Sequence, residues 1–558
     1  MLLLSTTFSF IAMAIVATTF LLVSVFYAHT GSLTRFLHRL GFVYLIYYLW
    51  LESSGIVLTN NLSLSEVSLE IVQEDSLYFR LFFIYSTFTL AIFFFGVADR
   101  FFLSKRGRIE FPILLLFLHF GGLFALRLHT FRDRLISLER VTLASYVFVT
   151  FERQNRFSTY AGVQYFILGS FPSARLLLAF ALFYLQSGSR AFQDLDLFFN
   201  TTYEMPNFNS ITDETTKLFY RNSNSMSNSV GQSSQFLVPL LESDGEFFSA
   251  FPMDKIESIA SSLNPVNSRT VIALGLLFFN FFFKITAAPF HVWAPSVYGK
   301  APTASVAILS IYSKLLIFFI RFKLLNSFLH VFSSITSMVF LFLGTLSIFV
   351  GRMGAFSEKQ IKSFFVYSSM GHVGFRLIGL GLNSLEGASA TFTYLAVYIL
   401  TSFVRWFLLL ARGRQNTHLS HFGSLKASNP LLAILFAFIV FSRSGIPPLG
   451  GFFVKLDILS SLLDSAHFFL TYVIFIFTVI SFFYYLRVIK IRFFDAQENA
   501  RSGNSLSFSV VDSSEYPRNA GRLWARSSIL IFLAFYLIVV QKPLRAIQYE
   551  ILGTLYLV

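Results

Sequence analysis

Four ionisable residues lie inside long apolar stretches of the chain: Glu139, Lys284, Lys314 and Lys455. A charged side chain at the centre of a membrane helix costs about 2.5–3.5 kcal/mol on insertion scales. A single lysine near the end of an apolar stretch is explained by a side chain that extends to the water interface. Four such residues, of both signs, are not all explained in this way, and they indicate a function.

A buried lysine beside a movable carboxylate is suited to proton transfer. Burial favours the neutral amine, whereas a nearby carboxylate favours the ammonium. A change in their separation therefore loads or releases a proton. We expect Glu139 and Lys284 to form such a switchable pair, with Lys314 accepting the proton and Lys455 passing it to the far side.

Prolines interrupt two of the apolar stretches, each near one of these lysines. Pro289 follows Lys284, and the pair Pro447 and Pro448 precedes Lys455. A proline removes a backbone donor and clashes with the preceding turn, which by itself is explained by an ordinary kink. Because each break is paired with a lysine, the sequence predicts two discontinuous helices that form ion sites in two repeated halves.

The composition is that of an integral membrane protein. Of the 558 residues, 55% are hydrophobic and 13% are charged, against about 25% charged residues in a soluble domain. The formal charge of +14 is better explained by basic residues that fix membrane orientation than by nucleic-acid binding. The chain has no cysteine, which excludes disulfides, thiolate metal sites, Fe–S clusters and thiol catalysis within it.

We predict an all-α polytopic fold with about fourteen membrane spans, since a spanning helix needs roughly 20 mostly apolar residues. No alternating strand pattern competes with this interpretation. The candidate spans are 3–28, 39–58, 80–98, 111–127, 134–151, 160–186, 270–298, 302–324, 328–350, 361–382, 389–411, 429–462, 466–490 and 524–541.

Two polar stretches separate the spans, at 187–269 and 491–523. Loops after odd-numbered spans are rich in lysine and arginine, which predicts that they face the matrix or cytoplasm and that both termini face the opposite side. The stretch 187–269 follows an even-numbered span and carries ten acidic against five basic residues. We therefore expect an extramembrane insertion on the side away from the matrix. Basic residues at 132–134 and 321–323 depart from the charge pattern.

Three longer motifs carry a family resemblance. PFHVWAPSVYGKAPTA at 289–304, KQIKSFFVYSSMGHVGF at 359–375 and SGIPPLGGFFVK at 444–455 resemble the antiporter-like membrane subunits of respiratory complex I. EFPILLL at 110–116 and FSTYAGVQYFILGSF at 157–171 narrow the resemblance to one member of this family. The likeness runs from about residue 100 to 490, except for the insertion.

The resemblance implies two inverted five-helix repeats with discontinuous helices and a polar axis along the membrane centre. Its essential glutamate matches Glu139, its central lysine matches Lys314, and its two broken-helix lysines match Lys284 and Lys455. The implied organisation is as follows: N-terminal spans at 1–100, a first repeat at 101–186 and 270–324, a second repeat at 325–490, and a polar loop with a final span at 491–558.

The resemblance also implies a proton-translocating subunit in the membrane arm of NADH:ubiquinone oxidoreductase. The redox chemistry, with FMN, Fe–S clusters and ubiquinone, belongs to partner subunits, and we expect no cofactor in this chain. The expected partners are other membrane-arm subunits and lipids such as cardiolipin, with no nucleic acid. The expected location is the mitochondrial inner membrane, with a bacterial plasma membrane as the alternative. A subunit of a multisubunit sodium/proton antiporter is the alternative function, and a purely structural scaffold is a third.

Several residues leave more than one explanation open. His372 is suited equally to extending the proton path and to hydrogen-bonded helix packing. Ser296 and Gly299 stand where the family usually has acids, which puts local loop interactions in question. Five arginines in apolar spans are explained either by contacts with lipid head groups or partner subunits, or by a mature protein that differs from the translated sequence. They are Arg140, Arg175, Arg376, Arg405 and Arg443.

Overall fold

The computed structural model describes residues 107–203, 268–412, 419, 430–447 and 449–493. Within these ranges the regular structure is helical, and the one β-bridge joins Thr130 to Ala191. The α-helices are α1 (Gly107–Arg127), α2 (Phe131–Val149), α3 (Arg156–Ser187), α4 (Phe192–Tyr203), α5 (Ser268–Ile285), α6 (Trp293–Lys300), α7 (Thr303–Ile308), α8 (Lys314–Ser327), α9 (Ser333–Ser357), α10 (Ile361–Gly381), α11 (Leu385–Arg412), α12 (Pro430–Ser444), α13 (Gly450–Asp464) and α14 (Phe468–Phe493).

Helices suited by length and composition to crossing a membrane occur in the described part of the chain. Five helical segments there are long and apolar enough to cross a bilayer, namely Arg156–Ser187, Thr303–Leu325, Leu329–Ser357, Leu385–Leu410 and Phe468–Ile491. The predicted spans at 3–28, 39–58, 80–98 and 524–541, most of the insertion, and Pro448 lie outside the described residues. The total number of spans therefore stays a prediction.

Two of the spanning segments form the centre of the bundle. Within the apolar windows of Thr303–Leu325 and Leu385–Leu410, 89% and 88% of the residues are buried. The corresponding share is 33% for Arg156–Ser187 and 22% for Phe468–Ile491. The outer helices thus leave apolar side chains exposed, as a lipid-facing surface requires, and the central helices carry the polar residues that the next section describes.

The first helix break separates α5 from α6 and is made by Thr286. Its φ is 62°, a left-handed conformation that is unusual for a β-branched residue. The Thr286 amide donates to the Phe283 carbonyl at 3.1 Å, and the Ala287 amide donates to the Phe282 carbonyl at 2.9 Å. These are the two hydrogen bonds of a Schellman motif. The helix therefore ends at Ile285, four residues before the proline on which the sequence prediction rested.

The second break separates α12 from α13, within the predicted single span 429–462. Gly445 has a φ of 90°, and its amide donates to the Phe441 carbonyl at 3.2 Å. A β-carbon at this position would lie 3.0 Å from the Lys455 Nζ. Glycine at this position therefore allows both the left-handed turn and the close approach of Lys455.

A third irregularity lies between α7 and α8. The helix widens to a π-helical turn at Leu309–Ser313 and continues as α8 from Lys314. π-turns of this kind occur often at functional sites. The predicted span 302–324 is therefore one helical column with a local change of register.

The start of the predicted insertion is a helix that packs on one end of the bundle. Phe192 and Phe199 of α4 are buried. The Phe192 ring stacks on Phe328 with a centroid separation of 6.1 Å, and the Phe199 ring meets Phe332 edge-on at 5.2 Å. The chain after α3 thus stays at the end of the bundle where α8 ends and α9 begins.

Two cations that depart from the predicted charge pattern close the end of α1. The Lys323 Nζ donates to the Leu126 carbonyl at 2.7 Å, and the Arg134 Nη2 donates to the Leu128 carbonyl at 2.7 Å. Cations are favourable at the negative end of a helix dipole. The local need for helix capping accounts for these two residues where the count of loop charges does not.

Candidate functional site

Glu139 and Lys284 face the same part of the structure without a hydrogen bond between them. Lys284 is in the last turn of α5, and its buried Nζ has no hydrogen-bond partner among the described residues. The buried Glu139 Oε1 likewise has no partner, while its Oε2 accepts a hydrogen bond from Thr142 Oγ1 at 3.1 Å. The two charges interact electrostatically. The predicted pair is therefore coupled through space, and the Lys284 Nζ and one carboxylate oxygen of Glu139 have no hydrogen-bond partner among the described residues.

A cavity of about 40 Å³ lies beside Lys284. Its polar lining includes Thr142, Ser145, Tyr165 and Ser313. A buried water needs roughly 10–15 Å³ and two to four polar partners, so the cavity has room for a few water molecules. The cavity joins the Lys284 side chain to the π-helical turn that precedes Lys314.

Lys314 is completely buried at the start of α8. Its Nζ donates to the Ser369 hydroxyl at 2.9 Å, and that hydroxyl donates to the Val366 carbonyl at 2.7 Å. The strongest favourable electrostatic partner of the ammonium is Tyr398. A lysine held only by hydroxyl groups has no fixed counter-charge in the described structure.

Lys455 lies on α13 and closes the end of α12. Its Nζ donates to the carbonyls of Arg443 at 3.0 Å and Ser444 at 2.7 Å. These carbonyls belong to the last turn of α12, which otherwise lacks donors because the helix stops there. The lysine on one half-helix thus stabilises the negative end of the other.

Tyr398 occupies the space between the central lysine and the second broken helix. The guanidinium carbon of Arg376 lies 4.3 Å from its ring centroid, and that of Arg443 lies 5.2 Å away. Its hydroxyl approaches the Ser310 carbonyl, in the π-turn, at 3.5 Å. The sequence analysis missed this residue, because one tyrosine in an apolar span gives no signal until its neighbours are known.

His372 is hydrogen-bonded at both ring nitrogens. Nδ1 lies 2.6 Å from the Tyr394 hydroxyl, and Nε2 lies 3.4 Å from the Tyr485 hydroxyl. The Tyr485 hydroxyl also forms a short hydrogen bond with Ser368. The histidine is therefore a packing residue and also a member of a continuous chain of polar groups, and both predicted explanations stay open.

The prolines Pro289 and Pro447 lie beside the helix breaks, and both side chains are exposed. Thr286 and Gly445 adopt the left-handed conformations. At the first break the Ala288 amide donates to the Ser347 hydroxyl at 3.0 Å. The two breaks are thus held by neighbouring elements as well as by the prolines.

The arginines found in apolar spans fall into two groups. Arg140 is exposed, and Arg175 is half-buried with its guanidinium 3.9 Å from the Phe171 ring centroid. The arginines of the second group, which are Arg376, Arg405 and Arg443, are at most 3% exposed. The first group lies at the outer surface, whereas the second lies inside the bundle near the lysines.

The chain was compared with families and relatives of known sequence. The family model described as NADH:quinone oxidoreductase/Mrp antiporter, TM, matches residues 131–217 and 246–481, more than half of the chain. NADH-quinone oxidoreductase subunit N of Rhodospirillum rubrum is 27% identical over 73% of this chain and 72% of its own length. NADH-ubiquinone oxidoreductase chain 2 of Marchantia polymorpha is 30% identical over 71% of this chain and 70% of its own length.

Solved structures share the fold at low identity. A chain of respiratory complex I from Thermus thermophilus is similar with a TM-score of 0.62 and 19% identity, covering 96% of this chain and 98% of that one. A chain of the Mrp complex from Dietzia sp. is similar with a TM-score of 0.69 and 16% identity, covering 98% of this chain and 97% of that one. Together with the extent of the family match, these likenesses lead to one assignment: the chain belongs to the NADH:quinone oxidoreductase/Mrp antiporter transmembrane family.

Proposed function

We propose that the chain is the proton-translocating membrane-arm subunit of an NADH:quinone oxidoreductase, the counterpart of the relatives called subunit N and chain 2. The observation that carries the proposal is Lys284. Its ammonium is buried without a hydrogen-bond partner among the described residues, and it borders a cavity with room for water that extends towards Lys314. A buried ionisable group in this setting is suited to taking up and releasing a proton.

The proton path starts at Glu139 and Lys284. Movement of the carboxylate towards the lysine favours the ammonium, and movement away favours the neutral amine. Water molecules in the cavity beside Lys284 then pass the proton towards Lys314. The Ser369 hydroxyl accepts a hydrogen bond from the Lys314 ammonium. Unlike a carboxylate, this hydroxyl adds no negative charge that would hold the proton on the lysine.

From Lys314 the path continues through Tyr398 to the second broken helix. A phenol hydroxyl both donates and accepts a proton, so Tyr398 bridges the central lysine and the region of Arg443. Lys455 forms the last station. It exchanges its proton at the end of α12, where its hydrogen bonds are stronger when it is protonated.

The same proposal assigns the overall architecture. Two inverted repeats, at 101–186 with 270–324 and at 325–490, each contain one of the observed breaks. About fourteen spans agree with the length of hydrophobic segment that a bilayer requires. The segment 187–269 lies outside the membrane, which the position of α4 at the end of the bundle supports. Its place after an even-numbered span favours the side away from the matrix.

Cofactors, partners and location follow from the same assignment. FMN, Fe–S clusters and quinone belong to partner subunits, and this chain contacts other membrane-arm subunits and lipids such as cardiolipin. The mitochondrial inner membrane is the proposed location. A bacterial plasma membrane is the alternative, because relatives from a plant and a bacterium match to similar extents. Fractionation of the source cells distinguishes the two.

The alternative function is a subunit of a multisubunit sodium/proton antiporter. The family description and the fold of the Mrp complex both include it. Co-purification with flavin- and Fe–S-containing subunits supports the oxidoreductase, and isolation in a complex without redox centres supports the antiporter. The complex I reading is favoured because the named sequence relatives are oxidoreductase subunits.

The decisive experiment removes the central lysine. We expect Lys314→Met, in purified complex reconstituted into vesicles, to lower the number of protons pumped per NADH while NADH oxidation by artificial acceptors continues. Lys300→Met is the matched control, because Lys300 is exposed and its ammonium lies 4.3 Å from the ring centroid of Tyr160. Complex content is normalised in both. A normal pumping ratio in the Lys314 variant refutes the assigned path.

The proposed membrane orientation of the segment 187–269 is tested separately. Protease applied to sealed vesicles of known orientation should cut within 204–267 only from the side away from the matrix. Cleavage from the matrix side contradicts the assigned orientation and leaves the proton path untouched.

A further inference from the structure

Four arginines lie almost completely buried in the second half of the bundle. Each is at most 3% exposed, and each has at least one guanidinium nitrogen without a hydrogen-bond partner in the described structure. They are Arg352, Arg376, Arg405 and Arg443. A guanidinium keeps its proton under ordinary conditions, so these residues place four positive charges in a region from which water is largely excluded.

Three of these arginines donate hydrogen bonds to hydroxyl or main-chain carbonyl groups in the described structure. Arg352 donates to a tyrosine hydroxyl, Arg376 to a main-chain carbonyl at 3.3 Å, and Arg443 to a serine hydroxyl at 2.6 Å. The acceptors are Tyr484, His372 and Ser402. Neutral acceptors satisfy hydrogen bonds but do not cancel charge, and a buried charge needs a partner of opposite sign.

The lysines of the proposed path increase the positive charge. Arg443 acts electrostatically on both Lys314 and Lys455. The charges that act most strongly on Lys455 are those of Arg352 and Arg443.

A small cavity adjoins Arg443, one member of this cationic cluster. It has a volume of about 20 Å³ and is lined by Arg443, His372, Tyr398, Thr401 and Ser442, among others. Nε and Nη1 of Arg443, which is 3% exposed, have no partner among the described residues. A cavity of this size has room for one occupant not much larger than water, which excludes a phosphate or a lipid head group.

We propose that this cavity binds one monatomic anion of the halide class, chloride under physiological conditions, with the free N–H groups of Arg443 as its principal ligands. The anion places a negative charge beside the surrounding arginines and lysines. It also reduces the repulsion that Lys314 and Lys455 experience when they carry protons. The site depends on the buried arginines and the cavity, and it stands or falls independently of proton transport.

The test uses bromide as the probe in the intact purified complex. After exchange of chloride for bromide, diffraction at the bromine absorption edge should show an anomalous peak in the cavity, in contact with the Arg443 guanidinium. A cavity that holds ordered density without an anomalous signal, or no density, overturns the proposal. Peptide mass spectrometry on the same sample must find arginine at positions 352, 376, 405 and 443, since another residue at 443 also overturns it.

A variant gives a second, quantitative measurement. We expect Arg443→Gln to lower the bromide retained after desalting by one ion per complex, as measured by elemental mass spectrometry. Arg175→Gln is the matched control, because Arg175 is half-buried against Phe171 and Phe279, away from the cavity. Retention of the full bromide content by the Arg443 variant contradicts the proposal. If this variant does not assemble, the anomalous map of the unaltered complex decides.

Discussion

The ammonium of Lys455 donates to the main-chain carbonyl of Arg443 at 3.0 Å, across the gap between two halves of a broken helix. The residue proposed to carry a proton is thus also the cap of the helix that precedes it. When such a lysine loses its proton, its hydrogen bonds weaken because they are no longer charge-assisted. Proton release and the order of the helix end are therefore expected to be linked.

The first prediction concerns this link. Lys455→Met should lower the pumping ratio and also loosen the end of α12, since each buried carbonyl left without a donor costs about 1–3 kcal/mol. Hydrogen exchange at the amides of Gly445 and Ile446 should become faster. Lys490→Met is the control, because Lys490 is exposed on α14. Unchanged exchange at both amides would show that the lysine does not cap the helix.

The second prediction is that Glu139 and Lys284 act as one unit. Glu139→Gln removes the counter-charge of the lysine, and Lys284→Met leaves a buried carboxylate without a cation. Either change should block the load-and-release cycle, and the double variant should be little worse than either single one. The interaction energy in a double-mutant cycle on quinone-coupled proton transport should be about 0.5–3 kcal/mol. Strict additivity of the two losses would mean that the residues work separately.

The third prediction tests Tyr398 as a proton carrier. Tyr398→Phe keeps the ring against which Arg376 and Arg443 pack and removes only the hydroxyl. We expect normal assembly and strongly reduced proton transport, because phenylalanine neither donates nor accepts a proton. Tyr160→Phe, at an exposed site, should have no effect. Full transport activity in the Tyr398 variant would remove this residue from the path.

The fourth prediction concerns the packing of α9 against α10. A β-carbon at Gly374 would lie 2.5 Å from the Gly344 carbonyl oxygen and 2.6 Å from Ile348 Cγ1. Gly374→Ala should therefore force the helices apart and cost about 1–3 kcal/mol, as overpacking typically does. The melting temperature of the complex should fall.

The control for this substitution is Gly275→Ala on α5, where a β-carbon would meet no atom within 4 Å. Alanine is favoured over glycine in a helix by about 0.8–1.0 kcal/mol, so the melting temperature of this variant should stay the same or rise. Equal destabilisation by both substitutions would contradict the packing argument.

The sequence pointed to the ionisable residues of the proposed path because a charge inside a long apolar stretch is costly in a membrane and is visible in the local sequence. Lys284, Lys314 and Lys455 all lie inside the bundle as expected. Family membership is confirmed by the extent of the match. The roles of these lysines stay proposals until pumping is measured.

The sequence alone could not predict which side chains contact these lysines. Ser369 meets Lys314 across 55 positions in the chain, and only the packing of α10 against α8 creates that contact. The break at Thr286 was also missed in favour of Pro289, since a β-branched residue rarely takes a left-handed conformation. A helix end that is stabilised by tertiary contacts is poorly predicted by the helix propensities of the residues around it.

The π-turn at Leu309–Ser313 determines the direction in which the side chains of α8 face relative to those of α7. An α-helix advances about 100° per residue, so the extra residue in a widened turn rotates the downstream helix by that amount relative to the upstream one. The apolar stripes of α7 and α8 are therefore out of phase in the linear sequence although the two helices share an axis. Loss of one residue from this turn would swing Lys314 by about a quarter of a revolution, away from Ser369, without altering a single side chain of the proposed path.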